Sequence, residues 1–407
     1  MKLTKLGALA AVGALAFAAC TPGTAAPSDE IGVITIGPSD PIHIAFWGVI
    51  SGADASLGQD SLDGLRVAVQ DKGGKLLDHD IRISQEDGGC TVEGGAAAAA
   101  KMAADSTIVG LIGSSCSDET EGGIKALNDK GLVTISPSNT RPGFTVATRP
   151  ADFAGYFRTA HSDAFQGKAV AEFVYNELDL RTAATIHDGS AYAEALQQVF
   201  ADEFAALGGT IVIQEQVGKD TTDMTPVLTR VAGESPDVLY YPIFVAAGGY
   251  ITDQAGDVPG LADTVLIGSD GMFTGDFVKA AGPAALDMYL SSPNFSAFQA
   301  GYADFTAKYQ ALVGTKPVSA FHAHAYDAFN ILYAALEKVA VKGDDGTLYI
   351  PKKALRDAIY ATKDFQGITG VLSCSAYGDC GAPLIAVYQI GQREIDGAWP
   401  PEAPVWP

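Results

Sequence analysis

From residue 41 onward, short apolar runs alternate with stretches whose apolar residues recur every three or four positions. The runs at 42–49, 81–85, 108–112 and 132–135 are rich in Ile, Leu and Val and have the length of strands. Between them, 58–71, 93–104 and 119–130 carry helical spacing, the second of these dominated by Ala. Repeated strand–helix alternation implies a parallel sheet covered on both faces. A second series follows: helix 153–177, strand 183–187, helix 191–207, strand 210–216, helix 225–232, strand 238–241, helix 246–255 and strand 265–267. After Ser291-Ser292-Pro293 come long helices at 295–312 and 319–341, a helix at 352–361, and strand-like runs at 370–372 and 384–390. The pattern predicts two doubly wound α/β units with a helical and strand supplement. Sheets of this kind bind ligands at the carboxyl ends of their strands, so the strand-end segments are the place to look for chemistry.

The N-terminus is of a different kind. Lys2 and Lys5 precede an almost unbroken apolar stretch from 6 to 19, too short for a permanent membrane span and proportioned like an export signal. It ends at Phe17-Ala18-Ala19-Cys20, which resembles the lipobox of bacterial lipoproteins; cleavage after Ala18 is the alternative. Residues 1–20 are therefore expected to be a lipoprotein-type signal peptide with Cys20 as its lipidation site. Residues 21–40 read as a flexible tether. No later segment offers 18 uninterrupted apolar residues, so contact with a membrane is expected only through the lipid.

Composition narrows the function. The 407 residues carry 26 basic and 48 acidic side chains, a formal charge of −22. So acidic a surface repels phosphate backbones, which argues against nucleic acid as a partner. The cysteines are Cys20, Cys90, Cys116, Cys374 and Cys380. In an oxidising compartment an even number pairs and one is left over. Cys374 and Cys380 flank a turn-rich loop suited to a local disulfide. Cys90 and Cys116 each follow a predicted strand and could be brought together by neighbouring strands, which leaves Cys20 for a lipid.

Catalytic and cofactor motifs are missing. Neither phosphate-binding glycine pattern occurs, and Gly268-Ser269-Asp270-Gly271 has the wrong spacing for a nucleophile elbow. His322-x-His324 would diverge on a helix, and the six histidines include no pair four apart, so there is no zinc signature. The sequence offers no catalytic constellation, and no enzymatic activity, metal or cofactor is expected.

Four strand-end segments form a series: Gly48-Val49-Ile50-Ser51-Gly52 with Leu57-Gly58, Asp87-Gly88-Gly89-Cys90, Gly113-Ser114-Ser115-Cys116-Ser117-Asp118-Glu119-Thr120, and Ile135-Ser136-Pro137-Ser138-Asn139-Thr140. It continues through Ile186-His187-Asp188 with Tyr192, Pro236-Asp237-Val238-Leu239-Tyr240-Tyr241, Ile267-Gly268-Ser269-Asp270-Gly271 and Ala325-Tyr326-Asp327-Ala328. In order and spacing the chain resembles the leucine/isoleucine/valine-type substrate-binding proteins of ABC importers. The resemblance implies a type I periplasmic binding protein fold, with two doubly wound parallel-sheet lobes joined by a three-segment hinge. Residues 41–152 with 294–385 would form one lobe and 153–293 with 386–407 the other.

The resemblance also implies a site. Ser117 and Thr140 would hold a ligand carboxylate, helped by the amino end of the helix that Ser117 begins. The Ser138 carbonyl would take part of the ammonium group, with Asn139 a neighbour. Asp270 stands where the family places a glutamate that pairs with the ammonium. Leu57 and Phe244 occupy positions where the family often has tyrosines, and Tyr192 and Phe321 are further wall residues. The implied function is capture of an amino acid, branched-chain or otherwise apolar, by lobe closure. Delivery would be to an ABC permease by an exported monomer in the periplasm or at the outer face of the cytoplasmic membrane. A ligand-sensing receptor component, or a binder of amides, urea or aromatic acids, is the alternative on the same fold.

Overall fold

A computed structural model describes residues 26–407. The expected signal segment 1–20 and Cys20 lie outside the described residues. Two six-stranded sheets dominate. In the first, the strand Ile42–Gly48 is central. It pairs in parallel with His79–Asp87 on one side and Ile108–Gly113 on the other, and Thr134–Ser136 and Tyr156–Arg158 extend the second side. The short Lys75–Leu76 closes the far edge antiparallel. In the second sheet, Thr182–His187 lies between Thr210–Gln216 and Val238–Tyr240, followed by Val265–Gly268 and Tyr289–Pro293, all parallel. Ile385–Gln389 is the antiparallel edge. Every residue of Ile42–Gly48 is buried, as a strand covered by helices on both faces requires.

Local sequence sets the helices that carry the site. The helix Ala191–Leu207 starts at Ser190, whose hydroxyl accepts from the Ala193 amide, and stops at Gly208 in the left-handed region at φ 104°. The helix Ala55–Asp71 crosses His322–Val339 at Gly64, where a Cβ would come within 2.0 Å of the His322 carbonyl oxygen. That crossing is fixed by the buried Asp60, which accepts from the His322 amide at 3.1 Å and meets its ring nitrogen at 2.8 Å. His322 is thus held in the core.

Three segments differ from expectation. The run 153–177 is not one helix: Tyr156–Arg158, buried throughout, completes the edge of the first sheet, and the helix Asp163–Glu172 begins afresh with Ser162 as its cap. The aromatic pair Tyr156-Phe157 gains more from burial at a sheet edge than from helical continuity. The first sheet thus takes in residues beyond 152, as far as Arg158. Within the expected tether, Val33–Ile36 is a strand paired antiparallel with Leu348–Pro351, its Ile34 and Ile36 side chains buried. Apolar alternation outweighs the small polar residues around it. The helix expected at 295–312 opens as a short turn, Phe295–Ala297, capped by Asn294; the helix proper is Gly301–Val313. Disulfides join Cys90 to Cys116 and Cys374 to Cys380, as expected.

Candidate functional site: an inter-lobe cleft with donors on one side and acceptors on the other

In each sheet the strand order reverses beside the first strand of its series, Ile42–Gly48 and Thr182–His187, and the turns beyond the strand ends face one another across the lobes. Direct contacts close the gap. The Asp118 carboxylate of the first lobe accepts from the Ala191 amide at 2.8 Å and from Lys219 Nζ at 2.5 Å. Asp54 accepts from the Val245 amide at 3.2 Å. Ala191 and Val245 are the first residues of their helices, so two carboxylates of one lobe satisfy free helix-end amides of the other. Lys219 also donates to the Cys90 carbonyl, and Thr274 Oγ1 meets Ser56 Oγ at 3.2 Å. The structure is a closed form.

On the first-lobe side, Ser117 opens the helix Ser117–Asp129 and Thr140 ends the turn after Thr134–Ser136. Ser115 Oγ, Ser117 Oγ and Thr140 Oγ1 are buried and, among the described residues, have no hydrogen-bond partner. Buried hydroxyls left unpaired cost free energy unless a ligand meets them. Ser138 Oγ donates to the Ser115 carbonyl at 2.8 Å, which ties the two turns together. Glu119 holds the same region from beneath: its carboxylate accepts from the amides of Cys90, Ser115 and Cys116 at 3.0–3.1 Å. Burial pushes its carboxyl up to about 7. Asn139 has a different task. Its amide bonds Ser114, Thr120 and Tyr156 below the turn, so it braces the site.

The opposite side is made of acceptors. Asp270, 3% exposed, accepts on Oδ1 from Gln166 Nε2 at 2.7 Å and from the Tyr192 hydroxyl at 2.6 Å. Tyr192 in turn meets Ser269 Oγ at 2.7 Å. Burial first, then the Asp270 charge, raises the Tyr192 phenol well above its ordinary value, so it stays a donor. Asp163 and His161 join this group. Both oxygens of Asp163 and Nδ1 of His161 are buried without a partner among the described residues. Burial, and then Asp270, push the Asp163 carboxyl well up. Burial lowers the His161 imidazole, which keeps it neutral. His161, Asp163 and Asp270 each offer one ligand atom, all within 4.8 Å of one another. One nitrogen and two carboxylates suit a divalent metal as well as an ammonium group.

Of the residues expected from sequence, Leu57 joins Tyr192, Phe244 and Phe321 in one apolar cluster that also takes in Cys90 and Cys116. The Tyr192 and Phe244 rings lie 5.2 Å apart, and Phe321 stacks on His161 at 5.9 Å. Asp163, His161 and Gln166 were not anticipated, because they sit where 153–177 reads as continuous helix. The only available signal was Ser162-Asp163, a capping pair. The metal-like cluster was equally invisible, since Asp270 lies more than 100 residues from His161 and Asp163 in the chain.

This architecture is that of a two-lobed solute-binding protein. Residues 41–386 match the family model described as "Periplasmic binding protein", and the chain belongs to that family. It is 28% identical over 258 residues to the leucine-specific-binding protein of Salmonella typhimurium, covering 63% of this chain and 68% of that protein. To the Leu/Ile/Val-binding protein homolog 3 of Brucella melitensis it is 24% identical over 361 residues, 88% and 93% of the two chains. Among solved structures, the branched-chain amino acid transporter substrate binding protein LivJ from Streptococcus pneumoniae, in complex with isoleucine, superposes with a TM-score of 0.75. That pair is 25% identical, over 90% of this chain and 100% of the other. Among the described residues no helix is long and apolar enough to cross a membrane.

Proposed function

We propose that this protein captures an amino acid with an apolar side chain, branched-chain in the first instance, and delivers it to an ABC importer. The observation that supports this most is the pairing of unsatisfied groups in one closed cleft. The unpartnered buried hydroxyls of Ser117 and Thr140 share it with unpartnered acceptors on Asp163 and His161, beside the buried Asp270. A zwitterion supplies both complements at once. Leu57, Tyr192, Phe244 and Phe321 give its side chain an apolar wall. The Ser138 carbonyl is read as a further ammonium contact.

The relatives' printed names, leucine-specific and Leu/Ile/Val-binding, fit this ligand class. A ligand touching both lobes stabilises the closed form over the open one, and that difference drives closure. We read the protein as a monomeric, exported binder without enzymatic activity, held beside its permease by a lipid on Cys20. Its lobes would divide near the three crossings that follow Arg158, Pro293 and Cys380.

A thermal-shift screen of the purified protein against the standard amino acids and a set of aromatic acids tests this reading. A ligand at about 100 times its Kd adds about 2.7 kcal/mol of stability. Stabilisation by leucine, isoleucine or valine is expected. Stabilisation by amine-free acids alone would overturn the reading.

A further inference from the structure

We infer that Arg158 is a positioning residue for the turn that presents Thr140, and that the loop closed by the Cys374–Cys380 disulfide tunes ligand affinity from a distance by holding Arg158 in place. The inference rests on the amino-acid reading above and adds to it a chain of residues outside the site.

Arg158 is the last residue of its strand, and its guanidinium is buried. Nη1 donates to the Arg141 carbonyl at 2.9 Å and makes a longer bond to the Asn139 carbonyl at 3.5 Å. Those two carbonyls flank Thr140. The Thr140 carbonyl between them accepts from the Asp163 amide at 2.8 Å. Three successive peptide groups are therefore held, and that grip places the Thr140 hydroxyl, which is buried and unpartnered among the described residues. A planar guanidinium can serve two carbonyls and a carboxylate at fixed angles, which a flexible lysine ammonium does not reproduce.

Arg158 is held in turn by the loop 374–380. Its Nη2 donates to Asp379 Oδ2 at 2.6 Å, and Thr145 Oγ1 donates to the same oxygen at 3.1 Å. The two backbones are laced together: the Arg158 amide donates to the Gly378 carbonyl at 3.0 Å, and the Cys380 amide to the Arg158 carbonyl at 2.9 Å. Within the loop, the Ser375 amide donates to the Asp379 carbonyl at 2.7 Å, and the Asp379 amide to Ser375 Oγ at 3.1 Å. Cys374 and Cys380, six positions apart, close it covalently. Tyr377 at its tip is exposed, so the loop gains little from burial there, and the disulfide limits where Asp379 can go.

The same loop stands where the two sheets are joined. The chain leaves the first sheet after Arg158, and beyond Cys380 it runs to Ile385–Gln389 at the edge of the second. There Gly381 lies so close to Ala160 that a Cβ would come within 2.2 Å of the Ala160 carbonyl oxygen. Loosening the loop should thus loosen the ligand turn and two of the connections that closure bends.

The test is calorimetric titration with leucine of wild type, Asp379→Asn, Cys374→Ser/Cys380→Ser, Thr140→Val and Ser117→Ala, with Asp379→Asn also combined with each of the last two. Asp379→Asn and the cysteine variant should each bind leucine about five- to tenfold more weakly. Because Asp379 acts through Thr140, adding Asp379→Asn to Thr140→Val should cost less than about threefold more, whereas on Ser117→Ala it should cost its full factor. In the ligand-free protein, amide hydrogen exchange over residues 138–141 should be faster in Asp379→Asn than in wild type, a readout that holds even if the cysteine variant fails to fold. A loop that only supports the fold would lower the melting temperature and leave leucine affinity as in wild type, or give independent losses in both combinations. Either result, or unchanged exchange over 138–141, would overturn the inference alone. Failure of every amino acid to bind wild type would overturn the reading of the cleft, and this inference with it.

Discussion

The two sides of the cleft solve opposite problems by opposite means. On the proposed reading the first-lobe side would meet an anion with neutral groups: the hydroxyls of Ser115, Ser117 and Thr140 and the amino end of the helix Ser117–Asp129. The other side would meet a cation with carboxyl groups: Asp270, held by Gln166 and Tyr192, and Asp163 beside it. Donors spread over several neutral groups leave a working site when one is lost. Charge concentrated on one or two buried carboxylates does not. Removing one side's key group should therefore be costlier on the acceptor side.

The sharpest way to break that contrast is Asp270→Ala. A charge-assisted hydrogen bond contributes about 1.5–3 kcal/mol, so leucine affinity measured by calorimetry should fall roughly 10- to 150-fold. Next comes Thr140→Val, which keeps the shape and deletes one donor; about a tenfold loss is expected, with Ser117→Ala smaller because the helix-end amides remain. Equal losses at Asp270 and Ser117 would erase the asymmetry.

Away from the ligand, Lys219→Met removes the bridge to Asp118 and the Cys90 carbonyl. The expected result is a two- to fivefold faster release in stopped-flow experiments, with association little changed, the order of a part-exposed ion pair. The smallest effect concerns pH. Burial in the closed cleft, with Asp188 adding to it and the Val245 amide opposing it, raises the Asp54 carboxyl from 3.8 to about 6. The closed form thus holds that proton more tightly than an open form in which Asp54 is solvated. Closure is favoured below about pH 6 by this group and loses that support as pH rises through it. Comparing Kd at pH 5 and pH 7 in wild type and Asp54→Asn isolates the contribution, which the variant should lack.

The donor side was far more legible in the sequence than the acceptor side, for a physical reason. Ser117 and Thr140 lie in contiguous strand-end segments whose strands are continuous apolar runs, so position and chemistry could be read together. Asp270 was legible in the same way, at the end of Val265–Gly268. Asp163, His161 and Gln166 lie where 153–177 reads as one continuous helix, which hides the fresh helix start at Asp163. Their neighbours Tyr156 and Phe157 resemble the apolar stripe of a helix as much as an edge strand. Asn139 shows a related limit: the sequence places it beside the site, and its bonds to Ser114 and Thr120 show that its side chain points beneath the turn. The strand Val33–Ile36 hid among Gly, Pro and Ser, because its partner lies more than 300 residues away.

The central claim is that both ends of a zwitterion are held, one by each side. Titrating the wild-type protein with leucine, with leucinamide, which lacks the carboxylate, and with 4-methylpentanoate, which lacks the amine, tests it most directly. The account predicts that leucine binds at least tenfold more tightly than either analogue, with the amine-free acid the weakest of the three. An analogue that binds as well as leucine would mean that the side facing its missing group does not hold the ligand, and would contradict the account.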